Sequence, residues 1–201
     1  MPATAIHASQ DDPWGGFDAA VLGGGLSPEA QDLIARAGAC RQDVVQASAL
    51  LDEAEALAPD HPAVLIARYR FHFYGHRLQQ ARAIAAQALK LARRALRREM
   101  VGQVDVSPLP SDEQVRFDAA VRFYLFSLKG HAYLCLRLGD IGEGRLALDE
   151  LRRLDPNDRL GGSLLAEMLQ RADARGAPDE DEDSDAQPEP GHPHRRGWGA
   201  A

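Results

Sequence analysis

The chain has 201 residues, 45% hydrophobic and 26% charged, with a formal net charge of −7, enough for one well-buried domain but not comfortably for two. Beyond Ala177 seven acidic residues face two basic ones, so the body is nearly neutral and lacks the basic excess of a nucleic-acid binder. The two cysteines, Cys40 and Cys135, form no CxxC pair. That argues against a disulfide framework or a closely spaced zinc site, and both read as small buried hydrophobes of a reducing compartment.

Ala, Leu and Arg dominate and β-branched residues are sparse, a balance that favours helix because these side chains lose little freedom in it. Residues 1–26 are rich in Gly, Asp and Pro and predict a flexible arm without helix. Trp14 and Phe17 are its candidate anchors, either for docking on the body or as a short motif for a partner. The start has no basic region followed by an apolar run, so it is not read as a signal peptide. No stretch reaches the roughly 18 apolar residues of a membrane span, and the expected location is cytoplasmic.

The first helix begins at "SPEAQDL", with Ser27 as N-cap and Pro28 at the first helical position. "LDEAEALAPDH" closes its partner helix at Pro59. "HPAVLIARYRFHFYGHRL" then forms a third helix that Gly75 ends. The fourth extends to about Met100, and its Lys90, Arg93, Arg94, Arg97 and Arg98 read as a solvated face or as a contact for an anionic protein surface. "VGQVDVSPLPSDE", residues 101–113, has two prolines and no helical period, and predicts a connecting loop. Ser111 and Gln114 can make a capping box for the next helix. Helical pattern builds to Leu138, breaks at Gly139 and resumes until Pro156. "RLGGSLLAEMLQRADARG" predicts a capping helix over 159–175, covering the apolar end of the array. The charged, proline-rich stretch 177–201 predicts a disordered acidic tail.

A frame of 34 residues organises these helices. Laid over 125–158, it places Ala132, Gly144, Leu148 and Leu151 at fixed positions. Over 28–61, Ala35, Ala47, Leu51 and Ala54 fall on the same places. Over 61–94 the pattern recurs with Ala81 and Ala88, with one extra residue in the turn and no closing proline. Small residues stand where helices approach closely, and leucines where the gap is filled. A helical hairpin of this period resembles the tetratricopeptide repeat family, although His131 replaces a usual apolar residue. The resemblance covers about half the chain. It implies an all-α, TPR-like superhelix of about three hairpins, 28–61, 61–94 and 125–158, plus the capping helix, in one domain over 27–175.

The same resemblance implies that the first helix of each hairpin lines a concave groove for a protein or peptide partner. The matched groove residues are Arg36 in the first hairpin, Tyr69, His72 and Phe73 in the second, and Lys129, Tyr133 and Arg137 in the third. Asp32, Cys40, Leu65 and Leu136 flank them. Aromatic residues concentrate in 69–74 and 117–133, and such side chains serve equally as binding anchors and as packing. Phe71, Tyr74 and Phe126 are read as packing. The mixed aromatic and cationic lining suits an extended or helical acidic-hydrophobic peptide. Some family members clamp chaperone C-termini through paired Asn and Lys residues. The sole asparagine, Asn157, falls in a turn, so that clamp is not expected.

No phosphate loop, GxSxG or convergent acid–base set appears, so the chain reads as a non-enzyme with no cofactor and no metal. His72 and His76 are spaced i, i+4, but Gly75 separates them. "DDPWGGF", "APDHPAVLIARYRFHFYGHRL" and "VRFYLFSLKGHAYLCLRLGD" also resemble the small tetratricopeptide proteins of proteobacterial nitrogen-fixation gene clusters. That resemblance implies a non-catalytic adaptor, accessory to nitrogenase maturation or regulation. Alternatives are a secretion-type chaperone for an export substrate, and a metal-handling protein using His72, His76 and the tail histidines. Homodimerisation through the aromatic surface is a further expectation.

Overall fold

The computed structural model describes residues 17–21, 23–100 and 110–176. The expected tail over 177–201, residues 1–16 of the arm with Trp14, and residues 101–109 of the connecting loop lie outside them. Among the described residues all regular structure is helical: α1 Phe17–Val21, α2 Pro28–Ala39, α3 Val44–Leu57, α4 Pro62–Tyr74, α5 Leu78–Met100, α6 Asp112–Phe117, α7 Ala119–Arg137, α8 Ile141–Leu154 and α9 Ser163–Gly176. No helix among them is long and apolar enough to cross a membrane.

Local chemistry sets the helix starts. Ser27 accepts from the Ala30 N–H at 3.1 Å with Pro28 at the first helical turn, and Asp43 accepts from the Gln46 N–H at 3.0 Å. Each offers an oxygen to a backbone donor that the helix itself leaves unpaired. His61 plays the same part for α4, its Nδ1 accepting from the Ala63 N–H at 3.2 Å. Ser111 and Gln114 form the reciprocal capping box that opens α6. Gly139, at φ 82°, turns the chain between α7 and α8, a backbone setting that favours glycine.

Helices α2 and α3, α4 and α5, and α7 and α8 pack as three helix–turn–helix pairs, and α5 lies along α7. Val44 and Ile141 open α3 and α8 at matched places of the 34-residue frame, and Leu78 opens α5 one place later. Ala47, Ala81 and Gly144 are all buried there, whereas Ala35 is exposed at the place where Ala132 is buried. At Gly144 an added Cβ would lie 2.7 Å from Leu136 Cδ2 and 3.2 Å from the Leu136 backbone nitrogen, so α7 leaves little room for a side chain there.

The largest core runs through α4 to α9 and contains Leu65, Leu125, Leu128, Leu148 and Leu165. The first pair holds a smaller core of Leu33, Ala37, Leu50, Leu51 and Ala54, on which Phe71 of α4 leans. Helix α9 packs on α7 and α8, and it starts at Ser163 rather than 159. The reason is local: Asp155 Oδ2 accepts from the Leu160 N–H at 2.8 Å and Gly161 stands at φ 71°, which holds 159–162 in a turn.

Two further boundaries differ from the sequence expectation. The arm assigned to 1–26 contains a helix, α1, packed on α7 and α4 with Ala20 fully buried. Tertiary contact supplies what five residues flanked by glycines cannot supply alone. The loop assigned to 101–113 ends earlier, because its last residues belong to α6. Asp118 then breaks the helix. It closes α6 and caps α7, accepting from the Val121 N–H at 2.9 Å.

Candidate functional site

Helix α7 presents Ala119, Arg122, Phe123, Phe126 and Ser127 to one side, the i, i+3, i+4, i+7, i+8 pattern of a single helical face. Opposite stand Leu65, Ile66 and Tyr69 of α4, with Ala85 and Ala88 of α5 closing the floor and Val21 of α1 one end. The groove between them has a volume of about 630 Å³, within the range of ligand-binding clefts. Its lining is almost wholly apolar. The break at Asp118 swings Arg116 and Phe117 over the mouth, where Phe117 is 70% and Phe126 51% exposed. Arg122 is held by the end of α6, donating to the Arg116 carbonyl at 3.0 Å. Neither Arg116 nor Arg122 is within salt-bridge distance of a carboxylate of the described residues. The result is an apolar trough with cationic charge at its rim.

Tyr69 links this groove to an aromatic cluster. Its ring stacks on Phe73 at 5.5 Å between centroids, and Phe73 meets Tyr133 at 5.7 Å. Burial, with Tyr133 and Tyr74 adding to it, pushes the Tyr69 phenol up to about 12, so it stays a neutral hydrogen-bonding group. Its hydroxyl lies over Gly130, where an added Cβ would come within 2.7 Å. Tyr69, Phe73 and Tyr133 thus meet in one cluster, but of the three only Tyr69 lines the groove, and Phe73 and Tyr133 pack against Ala81, Ala85 and Leu134.

The other matched groove residues are elsewhere. Arg36 forms an exposed ion pair with Asp32 at 3.3 Å. Lys129 donates to the Leu160 carbonyl, tying α7 to the turn before α9. Arg137 is exposed in the last turn of α7. His72 accepts at Nδ1 from Arg77 Nε at 3.3 Å, and burial, then the Arg77 and Arg68 charges, lower its pKa. His76 lies past the end of α4 at φ 56°, so the two rings do not share a helical face. Asn157 sits in its turn and donates to Asp112 at 2.8 Å.

Sequence reasoning missed Arg116, Phe117 and Arg122, and assigned Phe126 and Tyr74 to packing. Both are exposed, Tyr74 at 69%, because each points away from its hairpin partner. A signal was present in "VRFDAAVRF", which carries the same basic–aromatic pair on either side of the Asp118 break. A second groove, about 690 Å³, lies between α2 and α4 and includes Arg41, Arg70, Phe71, Tyr74 and Arg77. There Arg77 sits over the Phe71 ring at 4.1 Å and donates to its carbonyl at 2.6 Å, which fits the packing role expected of Phe71.

Where α5, α7 and α8 meet, Arg82 donates to Asp140 Oδ2 at 2.6 Å and to Glu143 Oε2 at 2.7 Å. Glu143 Oε1 is 2.7 Å from His131 Nε2, and Cys135 Sγ lies 3.5 Å from the same nitrogen. His131 and Cys135 are buried. Bonding to His131 first, then to Arg82, holds Glu143 below the usual carboxylate range, and burial raises the Cys135 thiol.

No family model and no solved structure matches the chain. It is similar to an uncharacterized 19.8 kDa protein in the nifW 5′ region of Azotobacter chroococcum mcd 1, 38% identical over 118 residues. The match covers 58% of this chain and 66% of that protein.

Proposed function

We propose that the chain is a non-catalytic adaptor of the tetratricopeptide kind, accessory to nitrogenase maturation or regulation. In this reading the α4–α7 groove receives an acidic, apolar segment of a partner protein. The observation that carries it is the groove itself, an apolar trough of about 630 Å³ with Arg116 and Arg122 beside exposed Phe117 and Phe126. Apolar side chains of the segment bury against Phe123, Phe126 and Tyr69, and its carboxylates meet the two guanidiniums, which favour bidentate pairing. The similarity to a protein encoded beside nifW supports the nitrogen-fixation setting. The hairpins' shared frame, with Ala47, Ala81 and Gly144 buried at matched places, supports the repeat reading.

The test is co-purification of the full chain from cells grown with and without fixed nitrogen, comparing wild type with the double variant R116E/R122E. The reading expects a defined nitrogen-fixation protein with the wild type under fixing conditions, and its loss on charge reversal with helicity unchanged. Equal recovery by both proteins would refute the groove. A partner unrelated to nitrogen fixation would refute the accessory role.

A further inference from the structure

Among the described residues, His131, Cys135 and Glu143 are the one group of three side chains whose ligand atoms all lie within 4.8 Å of one another. We propose that they form a binding site for a borderline-soft divalent ion of the zinc class, with a fourth position left open. His131 and Cys135 stand one turn apart on α7, and Glu143 projects from the first turn of α8.

Zinc binds imidazole nitrogen at about 2.0–2.1 Å and thiolate sulfur at about 2.3 Å, so at tetrahedral angles the two donors stand about 3.5 Å apart. His131 Nε2 and Cys135 Sγ are already 3.5 Å apart. Glu143 Oε1, now 2.7 Å from Nε2, needs to draw back by about 0.6 Å to complete the face. Its side chain is half exposed, so this adjustment moves one carboxylate and leaves the packed helices in place. The same exposure gives the ion its way in.

Charge points the same way. Arg82 is set against two carboxylates, Asp140 and Glu143, so with a neutral imidazole and thiol the cluster carries one net negative charge. Binding of a divalent ion with loss of the thiol proton to solvent brings it to neutrality. Arg82 grips Oε2 of Glu143 and leaves Oε1 to the ion, orienting a monodentate carboxylate as outer partners do in metal sites. For Nε2 to ligate, its proton must move to Nδ1. That atom is buried with no hydrogen-bond partner, so no donor contact there opposes the change of tautomer. The donor set of nitrogen, sulfur and oxygen suits zinc and cobalt better than magnesium or calcium.

The experiment uses the tag-free full chain, stripped of metal and reduced, titrated with Co²⁺ alone and then with Zn²⁺. The proposal expects a thiolate-to-cobalt charge-transfer band in the near ultraviolet that saturates at one equivalent and is displaced by zinc. C40S keeps the band, C135A abolishes it, and H131N and E143Q weaken binding on the order of tenfold or more. Zinc raises the melting temperature of wild type and C40S but not of C135A. Circular dichroism of each variant establishes that it is folded. No band with wild type, a band that survives in C135A, or one lost in C40S would each overturn the site. None of these outcomes depends on the α4–α7 groove.

Discussion

The joint between the first and second hairpins and the joint between the second and third are spanned alike but filled differently. Each is bridged by one arginine with two carboxylates: Arg68 with Asp52 and Glu55, and Arg82 with Asp140 and Glu143. Behind Arg82 lies the main core, where α5 runs along α7. Behind Arg68 lie two small clusters, one of Leu33, Leu50 and Leu51 with Phe71, the other of Leu26, Ala30 and Val64. The polar bridge therefore does not set the strength of a joint. The apolar area behind it does, because a partly buried ion pair gives back in desolvation much of what it gains, whereas buried apolar side chains contribute fully. Both grooves border α4, but only the α4–α7 groove rests on the main core, and a rigid floor is what a binding surface needs to avoid an ordering cost on association.

The largest effect comes from cutting into the two cores. Leu128→Ala removes a side chain that is 2% exposed in the main core, and denaturant unfolding should show a global loss of about 2–5 kcal/mol. Leu51→Ala, in the first pair, should instead speed amide exchange in α2 and α3 and leave α7 protected. Equal acceleration in both places would erase the distinction drawn between the joints.

Next come the matched small residues. Gly144→Ala drives a methyl against Leu136, with Cδ2 at 2.7 Å and the backbone nitrogen at 3.2 Å, and should cost about 1–3 kcal/mol. Ala47→Gly at the equivalent place should cost only about 0.5–1 kcal/mol, through chain entropy. Thermal melts of the two variants decide it, and the reverse order would break the comparison.

A pH effect marks the N-terminal joint. His61 Nδ1 accepts from Ala63, and Nε2 lies 3.0 Å from the Gly24 carbonyl, an arrangement of the neutral ring. Burial lowers its pKa, the Gly24 bond opposing in part. Above about pH 6.5 the ring is neutral folded or unfolded, and the full stability is present. As pH falls below that value the unfolded chain takes up the proton first, so stability declines. Urea midpoints at pH 7.5 and 5.5 should differ more for wild type than for H61A. An equal difference would show that His61 has no part in the pH response.

The smallest effect belongs to the second bridge. Arg82→Met, whose two carboxylates stand nearly half exposed, should change stability by about 1 kcal/mol or less, with the difference shrinking at high salt. A larger loss in R82M would mean that the polar bridge holds the second joint after all.

What could be read beforehand was local. Ser27 with Pro28, Ser111 with Gln114, and Gly139 each act within a few residues, so the boundaries they set were legible. Through the repeat frame Tyr69 was legible as a groove residue, whereas Phe73 and Tyr133, placed beside it by the same frame, pack in the aromatic cluster. Helix α1 was not, since its stability comes from α7 and α4. Nor was the groove rim, which depends on Asp118 ending one helix and starting another within a stretch that looks continuously helical. The spacing of His131 and Cys135 was visible, but Glu143 and Arg82 join them only through packing of three helices.

Whether the α4–α7 groove is the partner site is decided most simply by site-specific photo-cross-linking in cells under nitrogen-fixing conditions, from position 126 in that groove and from position 74 in the α2–α4 groove. Both native side chains are large and exposed, so a reactive group is tolerated at either. The expected result is one nitrogen-fixation protein captured from position 126, through an acidic and apolar segment, and not from position 74. Capture from position 74 alone, or from neither, would contradict it.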